Sequence, residues 1–247
     1  MDLLTLGGLI IAFCAVFLAN WLGGGEIILL LNLPSAIIVI IGSLGAALVQ
    51  SSISEAIAAL KLLRWSLFPP VFDLEGSRHT INRLALKARR LSIIALESDI
   101  KALHNTFATR ALQMAVDGTD PELLADRLHE EASRIRDRRS ACIGFLESIG
   151  GYAPTLGIMG SVLGLIQAMA NLDSPEALGH GIAVAFVSTL YGQGFANLVV
   201  FPICRKLYRY ADQELLLNQM FIDGIHGIAT GKHPQRLDLE LGGYEQF

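Results

Sequence analysis

The hydroxyl-bearing residues Ser161, Ser188 and Thr189 lie in apolar stretches of this 247-residue chain. Ser161 lies within residues 149–172, Ser188 and Thr189 lie within residues 179–204, and neither stretch contains Asp, Glu, Lys or Arg. A hydroxyl in such surroundings can line a narrow polar path, or it can donate a hydrogen bond to a carboxylate of a partner. Alternatively, each hydroxyl bonds a carbonyl of its own helix four residues back. The sequence leaves both possibilities open.

Small residues accompany these hydroxyls at helical spacing. Positions three and four apart share one face of a helix, so each stretch would present a nearly flat stripe. The stripes consist of Ala153, Gly157, Gly160, Ser161, Gly164 and Ala168, and of Gly181, Ala185, Ser188, Thr189, Gly192 and Ala196. Small residues let another membrane helix come close. That neighbour is either the other stripe of the same chain or a helix of another chain.

Four apolar stretches are long enough to hold these residues inside a bilayer. The chain is 52% hydrophobic, which exceeds ordinary soluble composition. A helix that rises about 1.5 Å per residue crosses a hydrocarbon core of roughly 30 Å in about 20 residues. We therefore expect membrane spans at residues 3–22, 30–49, 149–172 and 179–204. The first stretch is too long, and lacks the basic start, for a cleaved signal peptide.

The positive charges predict the orientation of these spans. All 19 Lys and Arg residues fall into two segments, fourteen from Lys61 to Arg139 and five from Arg205 to Arg236. Lys and Arg are retained on the cytoplasmic side of a membrane. We therefore expect both termini, and the long segment between spans two and three, to lie in the cytoplasm.

The long segment, residues 51–148, has the pattern of helices. The first is expected to stop at Pro69, because the proline ring and the missing N–H end a helix. A second is expected to start after Gly76, and residues 79–103 keep helical spacing throughout. We found no strand pattern longer than a few residues, so the sequence predicts an all-α membrane protein.

Turn signals mark the next boundaries. Gly118 suits the end of a helix, Asp120 suits an N-cap and Pro121 suits the first helical position. One long helix is therefore expected to run from Pro121 into span three. The predicted division is spans one and two in 1–50, a cytoplasmic helical domain in 51–148, spans three and four in 149–205, and a helical cytoplasmic tail in 206–247.

The motifs of an enzyme are missing from the sequence. There is no clustered nucleophile and base, and no Gly-rich phosphate loop followed by Lys. Cys14, Cys142 and Cys204 show no paired spacing, so neither a disulfide framework nor a metal site is expected. We expect no catalytic residues, no cofactor and no nucleic-acid partner.

The segment GGYAPTLGIMGSVLGLIQAMANLDSPEALGHGIAVAFVSTLYGQGFANLVVFPICRKL closely resembles spans three and four of the MotA family of flagellar stator subunits. MDLLTLGGLIIAF, LRWSLFPP, ARRLSIIALES, ALQMAVDGTDPE and GKHP fit the same family in the same order. The resemblance implies a ring of five copies in the bacterial inner membrane, around two helices of a single-span MotB-type partner. Each partner would supply an ion-binding Asp, and ion flow would produce torque on the rotor.

The resemblance also assigns roles to particular residues. Pro154 in APTLG and Pro202 in VFPI match the two membrane prolines implicated in coupling ion flow to motion. Arg89 and Glu97 in ARRLSIIALES match the two charges that engage the rotor protein FliG. Without the resemblance, these prolines would be read as static kinks and the two charges as a solvated helix face.

The ion path and the partner-facing surface are assigned in the same way. Thr155, Ser161, Ser188 and Thr189 are expected to line the ion path. The small residues expected to pack against the partner helices are Gly157, Gly160, Gly164, Ala185 and Gly192.

Two alternatives stay open beside this interpretation. Sodium-driven relatives have Thr at the positions of Ser161, Ser188 and Thr189, whereas proton-driven relatives more often have Ala, Ala and Thr. This chain lies between the two patterns, and its surrounding sequence GIAVAFVSTLYG favours protons over sodium. A TolQ or ExbB relative would energise the outer membrane, but usually has three spans and an outward N-terminus. Four spans and a 98-residue segment at 51–148 favour the stator.

Overall fold

The computed structural model of the chain describes residues 3–103 and 105–246, and this part contains helices and no strand. We number the longer helices α1 to α8. They are α1 (Leu3–Leu22), α2 (Leu33–Gln50), α3 (Ile53–Leu62), α4 (Leu74–Arg90), α5 (Thr106–Val116), α6 (Pro121–Ala170), α7 (Pro175–Ala229) and α8 (Pro234–Leu241). Short helical turns lie at Ile27–Leu30, Arg64–Leu67, Ile94–Leu96, Glu97–Ile100 and Gly242–Gln246.

The predicted fold class is confirmed. Four helices, α1, α2, α6 and α7, are long and apolar enough to cross a membrane. The prediction of one long helix that begins at Pro121 and continues into span three is also confirmed, because α6 runs over 50 residues. The Asp120 carboxylate accepts hydrogen bonds from the N–H groups of Glu122 and Leu123 at 3.1 and 3.2 Å. It therefore caps α6 as its position in the sequence indicates.

Two helices begin at other residues than the sequence indicated, because polar side chains cap them. α2 begins at Leu33 rather than at residue 30, since the Asn32 side chain accepts from the N–H of Ser35 at 3.0 Å. α4 begins at Leu74 rather than after Gly76, since Asp73 accepts from the Gly76 N–H at 2.8 Å. In both cases the cap satisfies one of the N–H groups that a helix start leaves without a partner.

The helical spacing of residues 79–103 does not produce one continuous helix. α4 ends at Arg90, and the chain resumes with the turn at Ile94–Leu96. Leu84 and Ala85 in α4 and Leu96 in the turn are all buried in the same core, so the break brings apolar residues on both sides of it into contact. This tertiary burial explains why the local pattern was interrupted.

The chain folds into two compact units. One holds the chain up to Pro69 together with Ser140–Tyr208, and the other holds Pro70–Arg139 together with the chain from Arg209 onwards. The core of the second unit includes Leu112, Leu128 and Ile225, all fully buried. The prediction of four sequence segments with separate roles stays a prediction.

Candidate functional site

The two stripes of small residues pack against each other. A Cβ added to Gly164 would lie 2.6 Å from the backbone nitrogen of Ala185, and one added to Gly181 would lie 2.7 Å from that of Ala168. Contacts this short with backbone atoms leave no space for a side chain. Glycine therefore lets α6 and α7 touch through their backbones.

This packing occupies the faces that were assigned to the partner helices, and the partner contact itself stays a prediction. The five residues expected to contact partner helices are buried within the chain: Gly157, Gly160, Gly164, Ala185 and Gly192. A Cβ on Gly192 would lie 2.6 Å from the Ala153 carbonyl oxygen, and one on Gly157 would lie 2.8 Å from that of Ser188. The chain's own helices occupy these faces. Of the two neighbours that the sequence left open, the other stripe of the same chain is the one observed.

Ser161 and Thr189 form a hydroxyl pair across the interface of α6 and α7. The Ser161 hydroxyl donates to the Ala185 carbonyl at 2.5 Å, and its oxygen lies 2.5 Å from the Thr189 hydroxyl oxygen. Since the Ser161 hydrogen is used for the carbonyl, Thr189 is the donor within the pair. Both residues are half-buried, so the pair is reachable from outside the chain.

Ser188 faces a different helix from its neighbour Thr189. Its side chain is fully buried, and its hydroxyl donates to that of Ser35 in α2 at 2.9 Å. Ser35 is also fully buried, and it lies 2.8 Å from the Asn32 side-chain oxygen and 3.3 Å from the Val184 carbonyl oxygen. Adjacent residues of one helix thus serve two different interfaces.

Thr155 lies apart from the hydroxyl pair. It is exposed, and its hydroxyl donates at 2.8 Å to the carbonyl of Tyr152 in the preceding turn. Of the four residues assigned to the ion path, the structure brings Ser161 and Thr189 together, while Ser188 and Thr155 have other partners.

The atoms that the hydroxyl pair could offer to a cation are neutral oxygens. Across residues 3–103 and 105–246, no three His, Cys, Asp or Glu side chains come together as metal ligands would. A cation at this place would therefore meet two hydroxyls and the Ala185 carbonyl, which already bond one another. The arrangement suits hydrogen bonding to a partner carboxyl or to water.

Pro154 lies inside α6, where its ring removes one N–H from the helix. The carbonyl that this N–H would have bonded belongs to Gly150. A Cβ on Gly150 would lie 2.9 Å from the Phe201 ring, so the turn before Pro154 packs closely on the residue preceding Pro202. The two prolines thus lie on packed neighbouring parts of α6 and α7.

The helix widens just before Pro202. Residues Phe195–Val200 have π-helical hydrogen bonding, in which the ladder runs to the fifth residue rather than the fourth. Pro202 offers no N–H and its ring would clash with the carbonyl of Leu198, so the wider turn relieves both problems. Pro202 itself is exposed.

Arg89 and Glu97, the residues assigned to rotor contact, are both exposed in the second unit. Arg89 lies in the last turn of α4 and Glu97 at the start of the short helix Glu97–Ile100. Neither forms an ion pair with another residue in the described part of the chain. Their charges are free to meet those of a partner.

Lys87 connects α4, which carries Arg89, to the short helix that carries Glu97. Its ammonium lies 2.5 Å from the Asp99 carboxylate and donates to the Ser98 hydroxyl at 2.9 Å. The ion pair holds the end of α4 against the short helix that begins at Glu97. An open groove of about 570 Å³ runs along the same helix, and it is lined by His79, Asn82, Arg83, Leu86, Lys87, Arg90 and Leu91.

Sequence reasoning missed the contributions of Ser35, Asn32 and Lys87 to these contacts. A signal for the first two exists in the motif Asn-Leu-Pro-Ser, in which Asn precedes a proline typical of a helix start. No comparable signal points to Lys87, because its partner Asp99 lies twelve residues away in a different helix.

Residues 99–220 match the family described as the MotA/TolQ/ExbB proton channel family. Among individual relatives, Motility protein A of Bacillus subtilis is 33% identical, over 98% of this chain and 90% of that protein. Chemotaxis protein PomA of Vibrio alginolyticus is 32% identical, over 99% of this chain and 95% of that protein.

Solved structures resemble the fold over almost the whole chain. The chain in the structure of C. jejuni MotAB matches with a TM-score of 0.93 and 28% identity, over 99% of this chain and 96% of that one. The flagellar MotAB stator complex from Bacillus subtilis matches with a TM-score of 0.86 and 32% identity, over 97% and 94% of the two chains.

Proposed function

The chain belongs to the MotA/TolQ/ExbB proton channel family and is a stator subunit of the flagellar motor, and from this premise we propose that protons are the ion it uses. It is a multi-pass membrane protein with four helices able to span the bilayer. Together with a MotB-type partner, it couples proton flow across the bacterial inner membrane to torque on the rotor.

One observation carries the proposed ion path, namely the hydroxyl pair of Ser161 and Thr189. The spans contain no Asp, Glu, Lys or Arg, so this chain has no carboxyl of its own in the membrane to take and release a proton. The partner's Asp therefore carries the proton. The half-buried hydroxyls serve it as neutral hydrogen-bond partners that do not compete for the charge.

The surroundings of the pair favour protons over sodium. A dehydrated cation needs several oxygens in place of its lost water. Ser188 would be the third hydroxyl of such a site, but it is fully buried and bonded to Ser35. The two remaining hydroxyls also bond each other. A carboxylic acid needs fewer hydrogen-bond partners than sodium needs oxygen ligands. The two hydroxyls of the pair can supply these hydrogen bonds.

The partner helix meets a different surface from the one the stripes suggested. Since the glycine faces of α6 and α7 cover each other, the partner contacts the side that carries exposed Thr155 and the open edge of the Ser161–Thr189 pair. Five copies of the chain surround two partner helices, with membrane lipid outside the ring. Both termini lie in the cytoplasm, which the distribution of the 19 Lys and Arg residues supports.

Rotor contact is assigned to Arg89 and Glu97, which engage FliG. Both are exposed and make no ion pair within the described chain, so their charges remain available. Charged contacts at an exposed surface form and release readily because water and salt screen them. This suits a contact that is made again at each step of rotation.

Reconstitution in a motile host tests the function. The chain is expressed in a host that lacks its own stators, either alone or with a single-span MotB-type protein that carries an Asp near its membrane segment. Motility should return with both proteins and not with this chain alone. Purified chain that conducts protons into liposomes without the partner would contradict the proposal, as would motility without the partner.

A further inference from the structure

We propose that Ser35 is a positioning residue for the ion path, although it does not itself line that path. It acts through Ser188, its hydrogen-bond partner in α7. This inference rests on the proposed role of the Ser161–Thr189 pair, and it adds a residue of span two to the machinery.

The Ser35–Ser188 bond lies entirely inside the chain. Both residues have no exposed surface, and their hydroxyl oxygens are 2.9 Å apart. Ser35 passes its own hydrogen on to either Asn32 at 2.8 Å or the Val184 carbonyl at 3.3 Å. Asn32 in turn caps α2 through the N–H of Ser35. The hydroxyl of Ser188 is thus linked to the first turn of α2.

This bond adds to the glycine packing in setting the rotation of α7 about its axis. Ser188 and Thr189 are consecutive, so on a helix their side chains diverge by about 100°. With Ser188 held on α2, Thr189 is directed to α6, where it meets Ser161 at 2.5 Å. Without that anchor, Ser188 can bond the Val184 carbonyl four residues back in its own helix. The bond to α2 would then be lost, while no polar group would be left unsatisfied.

The loss of Ser35 therefore differs from ordinary destabilisation. Because Ser188 retains an acceptor, Ser35→Ala should leave the helices folded and in the membrane. What changes is the fraction of chains in which Thr189 faces Ser161. Ser43 provides a matched control, since it is equally buried in α2 but donates to the Ile40 carbonyl of its own helix at 3.2 Å.

Disulfide trapping measures this alignment directly. Cys14, Cys142 and Cys204 are replaced by Ala, and Ser161→Cys with Thr189→Cys is introduced into the full chain co-expressed with its partner. Mild oxidation in membranes should close a disulfide, seen as protection from a maleimide reagent. Ser35→Ala should lower the rate of closure about fivefold, the ratio that corresponds to one net hydrogen bond. Ser43→Ala should leave the rate unchanged.

A second arm asks whether Ser35 acts through Ser188. Rotation speed is measured for Ser35→Ala, Ser188→Ala and the double variant, without the cysteine changes. The double variant should rotate no more slowly than Ser35→Ala alone. Each single variant already removes the Ser35–Ser188 hydrogen bond, so the second substitution has no further bond to remove. Ser35→Thr keeps a hydroxyl and should retain more speed than Ser35→Ala.

The outcomes separate this inference from the proposed function. Unchanged disulfide closure in Ser35→Ala, or losses of speed that add in the double variant, would overturn the positioning role. Failure of the unmodified chain and its partner to rotate the motor would instead contradict the proposed function, and the disulfide result would still be interpretable.

Discussion

Thr189 of α7 and Ser161 of α6 join their hydroxyl groups across a helix interface, with 2.5 Å between the two oxygens. The same Ser161 hydroxyl bonds the carbonyl of Ala185, one turn before Thr189. Both contacts occur where glycines bring the two backbones together. The position of the pair is therefore set by the packing of the helices, and it is sensitive to changes in that packing.

The Thr189 hydroxyl can be tested without changing the shape of the side chain. Thr189→Val keeps the branched form but removes the donor, so motor torque should fall to less than half. Thr189→Ser keeps the hydroxyl and should preserve most of the torque. The expected change in stability is small, about 1 kcal/mol for one hydrogen bond. Rotation of tethered cells measures torque, with immunoblots of membranes as a control for protein amount. Full torque with valine would contradict the assignment.

The close approach of α6 and α7 predicts a cost for any side chain at Gly164. Gly164→Ala would place a Cβ 2.6 Å from the Ala185 nitrogen, so the helices must separate. We expect a loss of about 1–3 kcal/mol in unfolding free energy, as for other overpacked sites. Gly151→Ala on the same helix has nothing within 4 Å and should change stability little. Thermal unfolding of the purified complex compares them; equal midpoints would refute the backbone contact.

The rotor assignment predicts that reversing the charge of Arg89 changes torque without changing stability. Arg89→Glu should impair torque and leave thermal stability unchanged, because Arg89 is exposed and unpaired within the described chain. Arg78→Glu is the contrasting variant, since Arg78 forms a two-point ion pair with Asp238 at 2.7 and 2.9 Å. Unlike Arg89→Glu, Arg78→Glu should lower the thermal stability. Normal torque in a strain carrying both Arg89→Glu and Glu97→Arg, sensitised by a weakened rotor, would count against the assignment.

The Arg78–Asp238 pair also predicts an acid dependence of stability. A hydrogen bond from Arg78 lowers the pKa of Asp238 from its ordinary value of 3.8. A carboxyl with a lowered pKa stabilises the fold above its unfolded pKa, and this contribution is lost as the pH falls through the folded value. Unfolding free energy should therefore decrease below about pH 4.

Asp238→Asn tests the source of that dependence. The variant should lose about 1 kcal/mol at pH 7, since the pair is only partly exposed, and show a smaller further loss on acidification. Unfolding by denaturant at pH 7 and at the lowest pH that keeps the complex soluble gives both values. A variant whose stability falls with acid as steeply as the unmodified protein would show that other groups cause the dependence.

The sequence predicted the elements whose signals are local. The apolar lengths indicated four membrane-capable helices, and Asp120 with Pro121 marked the start of α6. The break after Arg90 was not predictable in this way, because burial of Leu96 against α4 decides it. Periodicity describes one helix at a time, whereas this break depends on packing between segments.

The site was predictable in its residue types but not in its pairings. The stripes identified Ser161, Ser188 and Thr189, and their small neighbours predicted close helix packing. Nothing in the pattern distinguished Ser188 from Thr189, which lie side by side and face different helices. The choice depends on which neighbour offers an acceptor, and Ser35 is 153 residues away in the chain.

The most direct test of the proton assignment is the response of rotation speed to external sodium. Tethered cells driven by this chain and its partner are followed at fixed pH while sodium chloride is replaced by potassium chloride at constant ionic strength. We expect rotation speed to stay constant across the sodium series and to fall when a protonophore collapses the proton gradient. Speed that rises with sodium at fixed pH, and that survives the protonophore, would contradict the proposed proton coupling.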